Sequence, residues 1–540
     1  MMHPAQLAPL LLAAAAIDAQ APLPQVSLVG VGCGATSPTL SMSPPIVGEA
    51  CQFGITPSAT AWSALFWSVA PLLPTPLPGS CFAYVDAATM SVAGLVTPSV
   101  QTLSVVIPND PNWLGVSLAA QAVQLPTSAV LGFDLTNGIT FAAGARRGPL
   151  QDQPSAPGTH LNAVVALAAN TWLDLGVPQA DPVYGLATGR EYTPRMAWSS
   201  SLQGAFLTGE SGHGYVNTQT GRYIDDVWFL DFAANKWVCV KPGSQVATLS
   251  LALNADQFEV DAQGELVPVA QLGHGYEFVA FDELTQNFLM QPIPNTYWTA
   301  SMPQRLNWLP SANFPASQYQ SPWLFDTVAG VWRRAAAGTP VPSFNTSARA
   351  MVVHGMPGGR FLYFDTAAAN QNRVWWFDAI AQSWQDQATA SPAPSISGNG
   401  VSCYDTNHHR MWYYGVEATS QQARLWYYDV EGTHWHDTGA GNTPAHTVIY
   451  TTANRGLSFD EASNQLLLKV SVGGTTPPSF VPFDIASNTW LPAVTPPASL
   501  GVNWSWKHVN VFYASGHNVH VLHVASGNSG TGRIIVYRRT

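Results

Sequence analysis

The sequence predicts an all-β protein: an N-terminal β-sandwich-like domain followed by a six-bladed β-propeller closed by its own N- and C-terminal strands. Three observations carry that prediction. First, one pattern recurs five times, an apolar run ended by aspartate with tryptophan six positions later: Asp231/Trp237, Asp326/Trp332, Asp378/Trp384, Asp429/Trp435 and Asp484/Trp490. Second, each copy follows another pair of apolar runs joined by a polar turn, as in "FVAFDELTQNFLMQP" and "LSFDEASNQLLLKV", so a unit holds about four strands. Third, Asp326, Asp378, Asp429 and Asp484 recur at intervals of 52, 51 and 55 residues. That is the length of a propeller blade, which cannot bury both faces of its sheet until it stacks on others.

The two ends of the repeat region are complementary. "WKHVNVFYASGHNVHVLHVASGNSGTGRIIVYRRT" supplies three strands and stops without an Asp/Trp element. "VALAANTW", ending at Trp172, supplies a late-strand element with Ala166 in place of the aspartate and no upstream hairpin. Joining these halves leaves no open edge strand. Five full units plus this composite make six blades, with seven as the alternative if residues 173–193 hold another. The 95-residue interval from Asp231 to Asp326 contains an insertion with Tyr297, Trp298, Trp308 and, at its end, Trp323, aromatic residues suited to stacking on sugars or to core packing.

Composition narrows the functional classes. Charged residues make up 10% of the chain, against roughly 25% in an average soluble protein. Apolar residues reach 46%, yet 42 Pro and 44 Gly interrupt them, and after the first 20 residues no run is long enough to span a membrane. A net charge of -11, with no basic run and no glycine-rich phosphate loop, argues against nucleic acid and nucleotides as partners. "MMHPAQLAPLLLAAAAIDAQAPLP" reads as a secretory signal within residues 1–25, which predicts a secreted or cell-surface protein. The cysteines, Cys33, Cys51, Cys81, Cys239 and Cys403, contain no C-x-x-C pair. In an exported chain they predict one disulfide among the first three, with Cys239 and Cys403 as small buried hydrophobes.

Residues 26–145 carry short strand-like runs and no Asp/Trp unit. They hold "GVGC" (30–33), "LPGSC" (77–81), "IPN" (107–109), "GVSLAAQA" (115–122) and "TNG" (136–138). In these elements the stretch resembles an accessory domain of exported bacterial proteins, which implies extracellular placement. Residues 146–160, rich in Pro, Gln and Gly, read as a linker. Over residues 161–540 the repeated aspartate and tryptophan resemble Kelch-type propellers, the architecture of the galactose-oxidase propeller domain. The double glycine of strong Kelch repeats survives only in "MPGGRFLYF" and "VSVGGTTPP".

Aspartate at a strand end can accept backbone N–H groups of the next turn, and tryptophan offers an apolar face to a neighbouring blade. A residue recurring in every blade is architectural. Function is sought instead where the first strand of each blade begins, at the channel mouth. Aligned turns place Arg195, Glu277, Arg349, Gly400, Arg455 and Lys507 there. Four of the six are cations in a chain with 21 Lys and Arg, a set able to hold a carboxylate or sulfate, with Glu277 as counter-charge. "GHGY" occurs twice, exposing His213 with Tyr215 and His274 with Tyr276. His517, His520 and His523 resemble a metal cluster, but strand residues three apart point to opposite faces. His434 and His436 share a face and lack a third ligand. A copper radical site would need a cysteine cross-linked to tyrosine, and neighbouring Cys403 and Tyr404 face opposite ways.

The residues therefore predict recognition: a glycan or protein ligand at the propeller face, with possible self-association and no cofactor. An enzyme on the same scaffold is the alternative, a polysaccharide lyase or an oxidase. In a lyase, Arg195, Arg349 or Arg455 would neutralise a uronate and His274 or Tyr276 would take the proton. A structural subunit of an extracellular assembly is the third reading.

Overall fold

The computed structural model describes residues 25–540 except 36, 44, 48–49, 57–61, 70–73, 98–101, 109–110, 126–130, 145–149, 151–157, 191–194, 209–215, 218–219, 249–251, 256–258, 269–278, 291–321, 335–350, 357–359, 366–373, 380, 388–392, 397–399, 446–454, 472–476, 503, 505–507 and 526–531. The predicted leader thus lies outside the described residues. The chain separates into two compact units, one ending at Arg147 and one beginning at Gly148. No helix among the described residues is long and apolar enough to cross a membrane.

In the first unit, Gln25–Val29, Gly138–Ala142, Ser117–Leu125, Trp62–Val69 and Ser91–Val96 form one sheet in that order, with Asp134–Leu135 also paired to Ser117–Leu125. Thr39–Met42, Ala50–Thr56 and Thr102–Val106 form a second sheet. Strict alternation along Ala50–Thr56 turns Cys51, Phe53 and Ile55 inward. Phe53 meets Phe141 of the larger sheet edge-on at 6.0 Å. The motif residues knit this sandwich together. Cys33 of "GVGC" is bonded to Cys81 of "LPGSC". Asn137 of "TNG" takes the Leu40 N–H at 2.7 Å and returns its amide to the Leu40 carbonyl at 3.1 Å. Gln121 of "GVSLAAQA" accepts from the Tyr84 N–H and donates to the Phe82 and Thr136 carbonyls.

The second unit is a β-propeller of four-stranded antiparallel sheets, of which the described residues form six. We number them I to VI, with first strands Ala197–Ser199, Val279–Asp282, Met351–Met356, Val401–Asp405, Arg455–Asp460 and Val509–Ala514. Each first strand lies beside the first strand of the next sheet, and that of VI lies beside that of I, where Arg195 makes a parallel bridge to Val511. Sheet VI is the composite expected from the sequence: Val509–Ala514, Val519–Val524 and Arg533–Arg538, completed by Thr171–Gly176 from the other end of the unit. The turn before that strand is entered from a short helix, His160–Val165, rather than from a strand. Its usual strand partner is supplied by the C-terminus, so residues 160–165 have no sheet to join. Residues 177–190 contribute isolated bridges, such as Gln179 to Lys236, and among the described residues no further four-stranded sheet.

The recurring aspartate and tryptophan take up the roles their chemistry predicts. Asp326 Oδ1 accepts the N–H groups of Val328 and Ala329 at 3.0 and 2.9 Å, and Asp429 Oδ1 those of Glu431 and Gly432 at 3.1 and 3.0 Å. Asp231, Asp378 and Asp484 each accept from the residue three further on. Four positions after each aspartate the backbone is left-handed, at Asn235, Gly330, Gln382, Thr433 and Asn488. The tryptophans then pack on the preceding sheet: Trp435 on Phe364 at 4.4 Å, Trp490 on Tyr414 at 6.2 Å, Trp172 on Phe480 at 5.1 Å and Trp237 on His523 at 5.3 Å. A buried indole covers on the order of 200 Å², about 5 kcal/mol of transfer free energy at roughly 25 cal/mol per Å² as an upper bound.

Candidate functional site

The tight turns joining first to second and third to fourth strands all leave one end of the sheets. The second-to-third and fourth-to-first connections leave the other end, where the inner strands begin. Connections of this kind tolerate variation while the sheets stay rigid, which is why binding sites concentrate on them.

Of the six positions predicted for the mouth, three are described, and they lie at that end: Arg195 two residues before its first strand, Gly400 one residue before its own, and Arg455 opening its own. Arg195 is half-buried beside the first strand of sheet VI. The backbone of Arg455 pairs with Val470. Gly400 is occupied by packing: a Cβ there would lie 2.1 Å from the Tyr413 ring, so no side chain fits. His274, Tyr276, Glu277, Arg349 and Lys507 lie outside the described residues, as do both "GHGY" turns.

Polar residues that the repeat pattern did not flag line the seam between sheets VI and I. Arg190 is fully buried, donates to Thr188 Oγ1 at 2.8 Å and is ion-paired with Asp226. Asp226 also accepts from Trp228 Nε1 at 2.7 Å. Asp225, buried beside it, accepts from the Ser244 N–H and hydroxyl, and burial pushes its carboxyl up to about 6. His523 Nδ1 lies 3.0 Å from Asn510 Oδ1. Burial first, then Arg190 and His508, push the imidazole down to about 3, so it stays neutral. Gly532 packs directly on the far ring nitrogen, where a Cβ would approach to 1.7 Å. This seam is closed. Its signal in sequence was faint because Arg190 and Asp226 lie in connections, outside the blade register.

On the other face of the same strand, His520 Nδ1 lies 2.9 Å from Ser458 Oγ, and its Nε2 lies 3.4 Å from Asp460 Oδ2. Tyr513 OH donates to Asp460 Oδ1 at 3.1 Å. Burial alone would raise the Asp460 carboxyl, but the hydrogen bond and charge of His520 outweigh it and hold the group at about 2. The residue types are those of a hydrolase triad, yet Ser458, His520 and Asp460 are all buried between sheets V and VI. A nucleophile must reach substrate, so this chain of hydrogen bonds is an inter-sheet tie.

The remaining candidates separate cleanly. His520 and His523 face sheets V and I respectively, as strand period requires. His517 stands in a turn against Phe232. His434 and His436 are exposed with ring centres 6.3 Å apart, and His436 stacks on Tyr427 at 4.6 Å. Cys403 packs in the core between sheets IV and V, and Tyr404 against that between III and IV. Trp323 does not serve as a stacking platform: it is fully buried beneath Arg334, whose guanidinium lies 4.5 Å from the ring centre. Tyr297, Trp298 and Trp308 lie outside the described residues.

No family model matches the chain, and no curated protein matches its sequence. Similar solved structures include a member of the DUF4221 family from Bacteroides vulgatus, at 10% identity and TM-score 0.37, over 68% of this chain and 96% of that one. Another is Kuenenia stuttgartiensis hydrazine synthase, at 10% identity and TM-score 0.36, over 67% and 98% of the two chains. A third is the Dos1 propeller, at 7% identity and TM-score 0.30, over 68% and 76%. The likeness concerns the fold alone.

Proposed function

We propose that this chain is an exported, Kelch-like recognition protein that holds acidic glycans at the mouth of its propeller. One observation carries the reading: Arg195 and Arg455 stand where inner strands of the ring begin, and the sequence repeat puts two further cations, Arg349 and Lys507, at the corresponding positions of other units. Several cations around one axis suit a ligand with repeated carboxylate or sulfate groups, which guanidinium forks bind in a bidentate manner. The overall charge of -11 would repel such a polymer at long range, so attachment relies on these local contacts and weakens with salt. Export draws support from the apolar leader and from the Cys33–Cys81 bond, a linkage that persists in oxidising compartments. The test is an array of immobilised polygalacturonate, chondroitin sulfate and uncharged glucans probed with the mature protein. Retention on the acidic polymers at low ionic strength and release by salt are expected; retention on none of them sinks the proposal.

A further inference from the structure

Sheet IV bears a cleft at its outer corner that is separate from the mouth. Its third strand, Ala423–Asp429, outruns the fourth, His434–Asp437: Asp437 pairs with Trp426, which leaves residues 423–425 projecting beyond the outer strand. The chain then turns away through Gly439 and Asn442, both with left-handed backbone (φ 61 and 57°). Between this turn and the projecting strand lies a cleft of about 510 Å³, within the range of roughly 300–1,000 Å³ that small-molecule sites span.

The walls are held before any ligand arrives. Arg424 binds two carboxylates, Glu417 through Nε at 2.8 Å and Asp437 through Nη1 at 2.9 Å. Asp437 Oδ1 also accepts the Gly439 N–H at 2.9 Å. Tyr414 donates to the Pro444 carbonyl at 2.6 Å, and Asn488 Nδ2 to the Thr438 carbonyl at 2.8 Å, fixing the turn at two points. The Ser420 hydroxyl first, and then Arg424, hold the Glu417 carboxyl below the usual range.

Charge and donor pattern select the ligand. The two charges that line the cleft, Arg424 and Asp437, are paired with each other, so it offers no net charge to draw the anions the mouth would hold. Leu425, Ala440 and Ala445 give it a small apolar floor, too little for a large hydrophobic ligand. Around that floor, the remaining Arg424 N–H groups and the exposed amides of Gln422 and Asn442 donate, while Asp437 accepts. Vicinal hydroxyls, which donate and accept at once, match such a surface. We infer that this cleft binds a neutral saccharide through its vicinal hydroxyls.

The test is saturation-transfer NMR on the full mature chain with a mixture of xylotriose, mannotriose, cellotriose and maltotriose. Transfer to at least one trisaccharide is expected, unchanged by added salt. Asn442→Ala, in an exposed turn, and Arg424→Met, which keeps the aliphatic stem, should each weaken it about tenfold, the scale of one lost hydrogen bond. Arg455→Ala should leave this signal intact while lowering retention on acidic polymers, so the two sites fail or stand separately. No transfer to any of the four sugars overturns the inference. So does transfer that survives both cleft substitutions, or that falls with Arg455→Ala.

Discussion

At the scale of single residues, the turns obey one rule. An aspartate side chain accepts the N–H groups that the reversing backbone exposes, and four positions later the chain becomes left-handed. Asp405 with His409 and Asp460 with Asn464 repeat this in the upstream hairpins. The aspartate was legible in sequence because turn chemistry is local; the left-handed position emerged only with the backbone. The tie made by Asp460 was not legible either, because His520 comes from another sheet. That tie has a pH signature. The Asp460 carboxyl is held at about 2 in the fold, below the ordinary value of about 3.9 that it regains on unfolding. A depressed carboxyl stabilises the fold above its unfolded value and loses that contribution as pH falls through about 4 towards 2. Urea melts over that window should show a shallower acid decline in Asp460→Asn than in the wild type; identical slopes would remove the ion pair from the account.

Among the elements, a second device links one sheet to the next at the tight-turn end. Glu283 of sheet II reaches the turn of sheet I, taking the Ser199 hydroxyl at 3.1 Å, the Ser201 N–H at 3.3 Å, and the Ser200 N–H and Ser201 hydroxyl. Glu461 of sheet V likewise reaches the turn of sheet IV, accepting from Thr406 Oγ1 at 3.0 Å, while its carbonyl takes Asn407 Nδ2 at 3.1 Å. Both glutamates follow the turn aspartate in an identical "FDE". The repeat was therefore readable, although its partners were not, since nothing local says which turn stands opposite. Glu283→Ala leaves several serine donors without an acceptor and should cost about 2–3 kcal/mol, visible as an earlier thermal transition. Glu283→Gln, which keeps an acceptor, should recover part of it. The helix His160–Val165 lay beyond sequence reading for the opposite reason: the tryptophan of the unit was kept although its aspartate is Ala166, and ring closure removed the strand's partner.

Across the whole molecule, the two levels separate. Among the described residues five cores fill the spaces between sheets I–II, III–IV, IV–V, V–VI and VI–I, and they take in Trp172, Trp237, Trp332, Trp435 and Trp490. Arg195 and Arg455 stand instead at inner-strand starts. Architecture was legible because every blade repeats it, whereas a binding site is written once and has no period to reveal it. The central claim is that the aspartate–tryptophan units build the ring and the mouth cations do the binding. Titration calorimetry with a galacturonate oligosaccharide, run beside thermal melts, tests it on two variants. Asp231→Ala should lower the melting temperature and keep the affinity, whereas Arg455→Ala should keep the melting temperature and weaken the affinity about tenfold. Equal affinities for wild type and Arg455→Ala, or a loss of affinity confined to Asp231→Ala, would contradict the account.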